Sequence, residues 1–558
     1  MPGKRSIALL ISTILCLLAV LYQYPFRSFA ETFEFKFNMS YIYFGDKSTY
    51  LDCVENTKGS IKEISPNYFD LNADGSLKIT SALDTSFISR MHERGIRVAP
   101  FLSNHWNREL GRKALSRRDK LADEIVDAIA RYDLDGINID IEDLTGEDRD
   151  NYVDFVRLLR QKLPQGKVLA VSVACNPKGL TSGWQASYDY AALSNYSDYL
   201  MLMAYDEHYN GGGAGPVASI GFVEDSIKYA LERVPSEKIV LGIPFFGRIW
   251  RNGGGIVGQG ASLKDIEALI ARYRGQVSFD YAYYSPKAVI TIKTTDEKPY
   301  IYGKRLDAGT YTIWYENEQS IKQKLRLVQK YGLKGTGSWS LGQEIPDTWN
   351  YYSLWLNGCY YADVQGHWAL NSIIYAAGMG WMIGDGISSF APGNALTRAE
   401  AAVVLVRALG LEEKEKENAV DTTGTQSIFS DISGHWAQNE IEIAAQHRFV
   451  QGRDDGTYGP DVPITREELA VLMHRVLFPD RNMLADRGAS DRSIPSGENG
   501  INVVYEDVNR DTCSWSYDSI AAMTEMGIFT GAPGGKFLPK EKASRAEMAV
   551  LLHRVWGK

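Results

Sequence analysis

One short stretch of the chain alternates polar residues with isoleucines. It runs from Leu134 to Glu142, and three alternate positions in it are polar: Asn138, Asp140 and Glu142. Because alternate side chains of a β-strand share a face, we expect these groups on one face, with neighbours about 6–7 Å apart. Two carboxyl groups at this spacing do not ionise independently, and the one that keeps its proton at neutral pH can act as a general acid. The spacing predicts acid catalysis.

The neighbours of these residues indicate where such a strand lies. A strand with one face in solvent would also alternate in this way. The isoleucines and the abrupt Asp135-Gly136 start instead favour a strand of a parallel sheet that is buried on both faces.

The elements around this stretch alternate between apolar strand-like runs and amphipathic helical runs, from about Phe33 to Gly342. This order is typical of a parallel α/β protein, and its length suits an α/β (β/α)8 TIM barrel with a small α+β insertion. A segment rich in Tyr, Thr and Ile, residues 277–311, predicts a small antiparallel insert before the last strand. The predicted strands are Phe35–Tyr43, Arg97–Leu102, Leu134–Glu142, Val168–Ala174, Tyr199–Tyr205, Ile239–Pro244 and Gly335–Ser340, and the clearest helices are Lys120–Tyr132 and Asp150–Leu163.

Beyond Cys359 the chain repeats itself three times. Each repeat contains a tryptophan, a glycine-rich turn and a helix that starts with Thr or Ser, Arg, any residue and Glu. The arginine follows its tryptophan by 30 residues in all three repeats, in the pairs Trp368 and Arg398, Trp436 and Arg466, and Trp515 and Arg545. The Ser/Thr-x-x-Glu pattern is a capping box, which uses the Thr and the Glu and leaves the arginine for another purpose.

Composition excludes several classes of protein. The 558 residues carry a net charge of −9 and no long Lys/Arg run, so nucleic acid is not an expected partner. Five scattered cysteines and eight dispersed histidines show no spacing typical of a metal site or a disulfide framework, and we expect no metal and no cofactor.

The N-terminus has the pattern of a secretory signal. Lys4 and Arg5 precede an apolar run from Ile7 to Leu21, and small residues end the segment at Ala30. An uncleaved membrane anchor is the alternative, but the run is short for a span of about 20 residues. We therefore expect cleavage after residue 30 and no stable membrane span in the mature chain.

Four motifs resemble glycoside hydrolase family 18. Besides the motif from Asp135 to Glu142, they are Met203-Ala204-Tyr205-Asp206, Leu241-Gly242-Ile243-Pro244-Phe245-Phe246-Gly247-Arg248 on the expected seventh strand, and Gly337-Ser338-Trp339-Ser340-Leu341-Gly342. The resemblance implies substrate-assisted retaining hydrolysis, an exception to the usual two-carboxylate scheme. It implies Glu142 as the acid and base, and Asp140 as the group that orients the 2-acetamido group of the substrate.

The resemblance assigns roles to the remaining barrel residues. Tyr205 would bind the acetamido oxygen, Asp206 would hold the distorted sugar, and Trp339 would form the floor beneath it, with Met203 and Asn138 also facing substrate. His105 and Trp106 either line the cleft or pack within their loop.

This sequence departs from the family pattern twice. Asn138 stands where the family usually has an aspartate, and Ile141 where it usually has an aromatic residue. An amide at position 138 removes a like charge and can donate a hydrogen bond to Asp140, so Asp140 should ionise more readily than in a row of three carboxylates. We expect activity to survive with an altered pH profile.

The segment Tyr205-Asp206-Glu207-His208-Tyr209, with the glycines that follow it, is similar to spore-cortex-lytic N-acetylglucosaminidases, which cut peptidoglycan. Chitinases share the same core. The resemblance therefore implies an N-acetylated glycan substrate, with peptidoglycan favoured over chitin.

The repeats resemble S-layer homology (SLH) domains, in which three copies form a mostly α-helical, pseudo-threefold bundle that binds a secondary cell-wall polysaccharide. The resemblance implies that the three arginines meet anionic sugar groups, which suits a planar guanidinium. The three tryptophans either stack on sugar or only anchor the fold. In the third repeat Ser544 replaces threonine and the spacing from Asp507 to Trp515 is longer.

Taken together, the patterns predict a secreted glycosidase anchored to the cell wall. A family 18-like glycan-binding protein without activity and an S-layer structural protein are the alternatives. The expected boundaries are a signal peptide at 1–30, a barrel at 31–355 with its insertion at about 248–313, SLH domains at 359–411, 429–478 and 503–558, and linkers at 412–428 and 479–502.

Overall fold

Eight strand positions close into a parallel barrel in the computed structural model, which describes residues 33–384, 388–412, 427–479 and 505–557. The barrel strands in order are β1 (Phe37–Ile42), β2 with β3 (Glu63–Pro66, Phe69–Leu71), β5 with β6 (Arg97–Val98, Phe101–Ser103), β7 (Gly136–Asp140), β8 (Val168–Ala174), β9 (Tyr199–Met203), β10 (Ile239–Pro244) and β18 (Gly335–Trp339). A short strand, β4 (Leu77–Ile79), pairs antiparallel with β3. The predicted (β/α)8 class is confirmed.

The second and third barrel strands are each interrupted, and their pairing closes the ring. β2 pairs with β5, β3 pairs with β6, and both pairings are parallel. Asn138 then donates its backbone N–H to the carbonyl of Pro100, which joins the third strand to the fourth. Prediction from sequence located seven of the eight strands. The second was missed because it is short and carries the charged residue Glu63, which is fully buried.

Helices cover the outside of the barrel. They are α1 (Tyr50–Glu55), α2 (Thr85–Glu93), α3 (Arg108–Ser116), α4 (Arg118–Arg131), α5 (Arg149–Lys162), α6 (Tyr190–Tyr196), α7 (Ile220–Leu231), α9 (Glu318–Lys330) and α10 (Thr348–Leu356), while α8 (Leu263–Tyr273) belongs to the insertion. Helices α4 and α5 agree with the two predicted from periodicity to within two residues at each end. They pack against each other and bury their apolar faces in the shell around the strands.

The insertion lies between the seventh and eighth barrel strands. It is a five-stranded antiparallel sheet with α8 against it and a separate hairpin: β11 (Phe246–Arg251), β12 (Val257–Ser262), β13 (Gln276–Asp280), β14 (Ser285–Ile292), β17 (Gly309–Trp314), and the hairpin β15 (Tyr300–Ile301) with β16 (Lys304–Arg305). The seventh-strand motif is therefore divided, since Arg248 lies on β11 of the insertion and not on the barrel. The antiparallel sheet also begins earlier than residue 277.

Glycine at position 136 explains the abrupt start of β7. A Cβ there would lie 2.1 Å from the carbonyl oxygen of Val168 on the neighbouring strand. Val168 donates its N–H to the carbonyl of Asp135 at 2.8 Å, so the two strands meet too closely for any side chain at 136. Beyond this point Ile137, Ile139 and Ile141 are fully buried, which confirms a strand buried on both faces.

The described chain divides into two compact units, one of residues 35–368 and the other of the described residues from 369 onward together with Phe33 and Glu34. The second unit contains α11 (Leu370–Gly378), α12 (Arg398–Ala408), α13 (Gln438–Gln446), α14 (Arg466–Leu477), α15 (Tyr517–Glu525) and α16 (Arg545–Trp556). Pairs form between repeats: α12 packs on α13, α14 on α15, and α16 on α11.

Three backbone hydrogen bonds close the helical unit into a pseudo-threefold bundle. The segments that precede α12, α14 and α16 meet there, where Leu396 donates to Ala543, Ala543 donates to Ile464, and Ile464 donates back to Leu396. Each repeat is thus hydrogen-bonded to the other two. The predicted capping boxes at Thr397, Thr465 and Ser544 are all formed.

The predicted signal segment lies outside the described residues. No helix within the described parts of the chain is long and apolar enough to cross a membrane. Most of the two predicted linkers also lies outside the described residues.

Candidate active site

A cleft of about 930 Å³ opens at the carboxyl ends of the barrel strands. It collects six of the seven barrel residues predicted from sequence, namely Asp140, Glu142, Met203, Tyr205, Asp206 and Trp339. Asn138 precedes Asp140 by two residues on β7, so it lies deeper inside the barrel, and it is fully buried. The motifs come from four separate places in the sequence, and the parallel strands bring them to the same end of the barrel.

Asn138 belongs to a closed ring of three polar groups inside the barrel. Its side-chain amide donates to the Tyr41 hydroxyl at 2.9 Å, and its amide oxygen accepts from the Ser172 hydroxyl at 3.0 Å. The two hydroxyls lie 2.6 Å apart. The amide is therefore bonded to Tyr41 and does not bond Asp140, so the expected hydrogen bond from Asn138 to Asp140 was wrong.

Asp140 is the last residue of β7, and only 5% of it is exposed. Burial raises the pKa of its carboxyl group from 3.8 to about 7, because an apolar environment disfavours the charged form. Its Oδ1 atom is buried and accepts no hydrogen bond within the part of the chain that the structure describes. Asp140 therefore lines the cleft and carries a buried acceptor that has no donor among the described residues.

Glu142 lies two residues beyond the end of β7, at the rim of the strand. Burial raises the pKa of Glu142 well above its usual range, and the nearby carboxyl groups of Asp140, Asp206 and Asp143 raise it further. The neighbouring indole of Trp106 lowers the pKa of the same carboxyl group, which opposes this shift. Burial and the three carboxyl groups favour the protonated form of Glu142, which is the form that a general acid needs.

Asn104 holds the backbone of Glu142 from both sides. Its Oδ1 accepts from the Glu142 N–H at 2.8 Å, and its Nδ2 donates to the Glu142 carbonyl at 2.9 Å. Asn104 is fully buried and also donates to the carbonyl of Asn107, at the start of α3. The third barrel strand thus fixes the position of Glu142 on the fourth.

Asp206 follows β9 and faces an arginine of the insertion. Arg248 donates to its Oδ1 from Nε at 2.8 Å, and the second nitrogen of the fork lies 2.7 Å from the same atom. Burial raises the pKa of Asp206, and the guanidinium group of Arg248 lowers it. Burial also raises the pKa of Tyr205, the preceding residue, so its hydroxyl remains a hydrogen-bond donor.

Trp339 ends β18 and stands among aromatic rings on the first and third barrel strands. The centroid distances from its ring are 5.3 Å to Tyr41, 5.6 Å to Tyr43 and 6.0 Å to Phe101. It lines the cleft while its other side packs on the inner core of the barrel. This placement gives the cleft an apolar floor.

In the loop after the third strand, Trp106 lines the cleft and His105 does not, which decides between the two alternatives given for this pair. Both His105 and Trp106 have left-handed backbones, with φ of 50° and 58°, and Trp106 is 54% exposed and lines the cleft. Its ring meets that of Trp184 at 4.9 Å. His105 instead turns away to pair with Asp70 at 3.2 Å.

Prediction from sequence missed several residues of this site. Asn104, Tyr41, Trp184 and Arg248 lie in or beside it, and only Arg248 belongs to a motif that was identified. Asn104 directly precedes the His105-Trp106 pair, so its position after the third strand was the one available signal.

In the helical unit the three predicted arginines form a ring of ion pairs with the capping glutamates of the next repeat. Arg398 pairs with Glu468 at 3.3 Å, Arg545 pairs with Glu400 at 3.0 Å, and Arg466 pairs with Glu547. Each Nε also donates to a backbone carbonyl, of Tyr458, Phe390 and Phe537 respectively. The sequence pattern had suggested that the capping boxes leave the arginines available for another purpose. In the structure each arginine instead bonds the capping glutamate of another repeat.

The three tryptophans of the repeats are exposed, unlike the bonded arginines. Trp368, Trp436 and Trp515 are 68%, 63% and 55% exposed, so none of them is a buried anchor of the fold. Trp436 lines a groove of about 500 Å³ with Arg407 and Arg545. An exposed indole beside cationic groups suits an anionic sugar.

Comparison with known proteins identifies the class. Residues 40–344 match the family model described as Glycosyl hydrolases family 18, and residues 360–402, 428–470 and 504–549 match the S-layer homology domain. The chain belongs to glycosyl hydrolase family 18 and carries three SLH domains, which indicate association with the cell surface. It spans between about half and two thirds of the length of the first curated relatives it matches.

Individual relatives agree with this class. An uncharacterized glycosylase of Bacillus subtilis is 26% identical over 42% of this chain and 64% of its own length. The cortical fragment-lytic enzyme of Bacillus subtilis is 27% identical over 53% of this chain and 69% of its own length. The crystal structure of a chitinase from Chromobacterium violaceum is 27% identical with a TM-score of 0.50, covering 57% of this chain and 98% of that one.

Proposed function

We propose that the barrel hydrolyses β-linked N-acetylglucosaminyl glycans by substrate-assisted retaining catalysis, with peptidoglycan the first expected substrate and chitin the second. The SLH repeats hold the enzyme on a secondary cell-wall polysaccharide. Residues 1–30 direct its secretion and are cleaved.

One observation carries the proposed reaction. Asp140 Oδ1 is a buried acceptor without a donor in the described part of the chain, two residues before a carboxyl group whose pKa is raised well above its usual range. A buried carboxylate oxygen without a partner is unfavourable unless a ligand supplies the missing hydrogen bond. The N–H of a 2-acetamido group, bound over Trp339, supplies such a donor.

The proposed reaction follows from these two groups. Glu142 gives its proton to the glycosidic oxygen, the bond from that oxygen to the anomeric carbon breaks, and the acetamido carbonyl oxygen forms a new bond to that carbon. Asp140 holds the acetamido N–H and balances the positive charge of the ring that forms. Water then attacks the anomeric carbon while Glu142 takes its proton, the bond from that carbon to the acetamido oxygen breaks to restore the acetamido group, and the product keeps the original configuration.

The other cleft residues support this sequence of steps. Tyr205, whose hydroxyl keeps its proton, donates to the acetamido oxygen, and Asp206 holds the distorted sugar with its position set by Arg248. Trp339 forms the floor beneath the sugar and Met203 part of the wall. Asn138 acts from below, by holding Tyr41 at the base of the cleft.

Two considerations favour peptidoglycan. The segment after Tyr205 resembles spore-cortex-lytic enzymes, and one relative bears the name of a cortical fragment-lytic enzyme. SLH repeats also favour a substrate in the cell wall. Chitin remains the second substrate because chitinases share the catalytic motifs.

For wall binding, the exposed tryptophans are the proposed contact residues. Of the predicted arginines Arg545 lines the groove of Trp436, and all three, Arg398, Arg466 and Arg545, are already bonded to glutamates, so they act mainly by joining the repeats. In the groove that contains Trp436, Arg407 is a second cation, and it is paired with Glu412 at 3.2 Å.

The test compares the wild-type protein with Glu142→Gln on purified peptidoglycan and on chitin oligomers, and identifies new reducing ends by mass spectrometry. Wild type should release fragments that end in N-acetylglucosamine, and Glu142→Gln should release none. Absence of a Glu142-dependent product from both substrates would leave a glycan-binding or S-layer structural role.

A further inference from the structure

Two pairs of aromatic rings bridge the mouth of the barrel at opposite places. Trp106 follows the third strand and Trp184 follows the fifth, and their rings meet over the fourth strand, which carries Glu142. Phe44 follows the first strand and Tyr302 belongs to the insertion after the seventh, and their rings meet beside the eighth strand. In a closed barrel of eight strands the fourth and the eighth are diametrically opposed.

The Phe44–Tyr302 pair is a parallel stack. The ring centroids are 5.2 Å apart and the planes are inclined by 15°. Rings in such an offset stack are in van der Waals contact, so nothing as wide as a pyranose ring passes between them. Both residues line the cleft, and Phe44 also meets Trp339 edge-on at 6.4 Å.

Tyr302 is held in this position by its hairpin and by the loop after the eighth strand. It lies in the turn between β15 and β16, with a left-handed φ of 46°, followed by Gly303 at 77°. The Gln343 side chain donates to its hydroxyl at 2.6 Å, and the oxygen of the same amide accepts from the backbone N–H of Ser340, the residue after Trp339. The stack and the floor are thus one bonded unit.

The two ends of the cleft differ in their relation to the acid. Trp106 and Trp184 line the cleft together with Glu142, and Trp106 acts on the pKa of its carboxyl group, so the Trp106–Trp184 pair adjoins the group that protonates the leaving oxygen. The sugar that leaves therefore lies towards this pair. The sugar that is attacked lies over Trp339, towards the Phe44–Tyr302 stack.

We propose that the Phe44–Tyr302 stack closes the cleft beyond the attacked sugar, so that the enzyme binds glycans by the non-reducing end and removes short units from that end. This inference rests on the proposed function, because it takes the orientation of the glycan from the roles of Glu142 and Trp339. The specificity for chain ends comes from a contact between the first barrel loop and the insertion.

The experiment follows the first products from a six-sugar β-1,4-linked N-acetylglucosamine chain that is fluorescently labelled at its reducing end. Wild type should first yield labelled chains shortened by one or two sugars. Phe44→Ala with Tyr302→Ala should open the cleft and raise the share of labelled products from internal cuts about tenfold, the usual size of a steric specificity effect.

Two further variants distinguish an effect of the stack from a general loss of structure. Tyr302→Phe keeps the ring and should keep the wild-type pattern. Tyr281→Ala removes a 71% exposed tyrosine of the same insertion, outside the cleft lining, and should also leave the pattern unchanged. Internal cuts by wild type from the start, or an unchanged pattern in the double variant, would overturn the proposal.

A binding measurement keeps the inference testable even without hydrolysis. Glu142→Gln should bind the six-sugar chain, and a bulky group on the 4-hydroxyl of the non-reducing end should weaken binding about tenfold or more. The double variant should bind both chains equally. Equal binding of both chains by Glu142→Gln alone would contradict closure of the cleft, whatever the outcome of the activity test.

Discussion

At the scale of single residues, the pair of Asp140 and Glu142 is central to the proposed reaction because both side chains line the cleft and both carboxyl groups have raised pKa values. Burial is the main cause of both raised pKa values, and the Coulomb repulsion between carboxylates adds to the shift at Glu142. The pair therefore titrates as a unit, and any change of charge beside it moves the whole pH dependence.

Asn138→Asp tests this coupling. A carboxylate at position 138 would add a like charge beside Asp140, raise the pKa values of the pair, and shift the pH–rate curve of kcat to higher pH by about one unit. Ser172→Ala is the matched control, since it removes a partner of Asn138 without adding charge. A curve that stays in place in Asn138→Asp would show that the coupling argument is wrong.

Asn104 acts on the acid through the backbone and so is a positioning residue. Asn104→Ala removes both hydrogen bonds to Glu142 and should lower kcat about 10- to 100-fold with little change in KM, because a displaced acid loses its alignment. Asn107→Ala, which removes the side-chain cap of α3, is the control and should lower the melting temperature but not kcat. A parallel fall of kcat in both variants would point to loop damage alone.

At the scale of elements, the helical unit is held by contacts between repeats. Each capping glutamate serves two elements, since Glu400, for example, accepts from the N–H of Thr397 in its own repeat and pairs with Arg545 of the third. The same residues that begin a helix therefore also join it to the next repeat. This double use explains why the Thr-Arg-x-Glu pattern recurs as a block.

Arg466→Met tests the ring of ion pairs at its most buried member. Arg466 is 8% exposed, and its loss would leave Glu547 and the carbonyl of Phe537 without this partner, at a cost of about 2–4 kcal/mol in the free energy of unfolding. Arg510→Met breaks the exposed pair with Asp518 and should change stability little. Chemical denaturation of both variants gives the comparison, and equal stability would mean that the ring is not structural.

At the scale of the whole molecule, the sites proposed for catalysis and for wall attachment belong to two different compact units. The cleft is built entirely from residues 35–368, and the groove with Trp436 from residues 369–558. Substitutions in one unit should therefore leave the activity of the other unchanged.

The full chain with Trp436→Ala tests this division. Removal of an exposed indole from its groove should weaken binding to purified cell walls about tenfold while hydrolysis of soluble oligomers continues at the wild-type rate. Glu142→Gln should show the reverse pattern in the same two assays. Loss of soluble activity in Trp436→Ala would contradict independent units.

Much of the barrel site could be predicted because its parts are local patterns. The alternation around Asp140, the ends of strands and the capping boxes depend on neighbours within a few residues, and periodicity records such relations directly. The placement of Asp140, Tyr205 and Trp339 in one cleft followed from the shared direction of parallel strands.

The errors concern partners that are distant in sequence. The amide of Asn138 bonds Tyr41, 97 residues away, and Arg545 bonds Glu400, 145 residues away. No local pattern indicates which of several possible acceptors a side chain will reach. The exposure of the three SLH tryptophans likewise depends on what packs around them.

By itself the sequence determined the class of this protein, because strand alternation, helix capping and the threefold repeat are written in short-range spacing. Tertiary structure alone decided that the amide at 138 serves the core, that the arginines join repeats, and that Phe44 meets Tyr302 across the cleft. The physical reason is that such contacts join groups which the barrel and the bundle bring together only after the chain has folded.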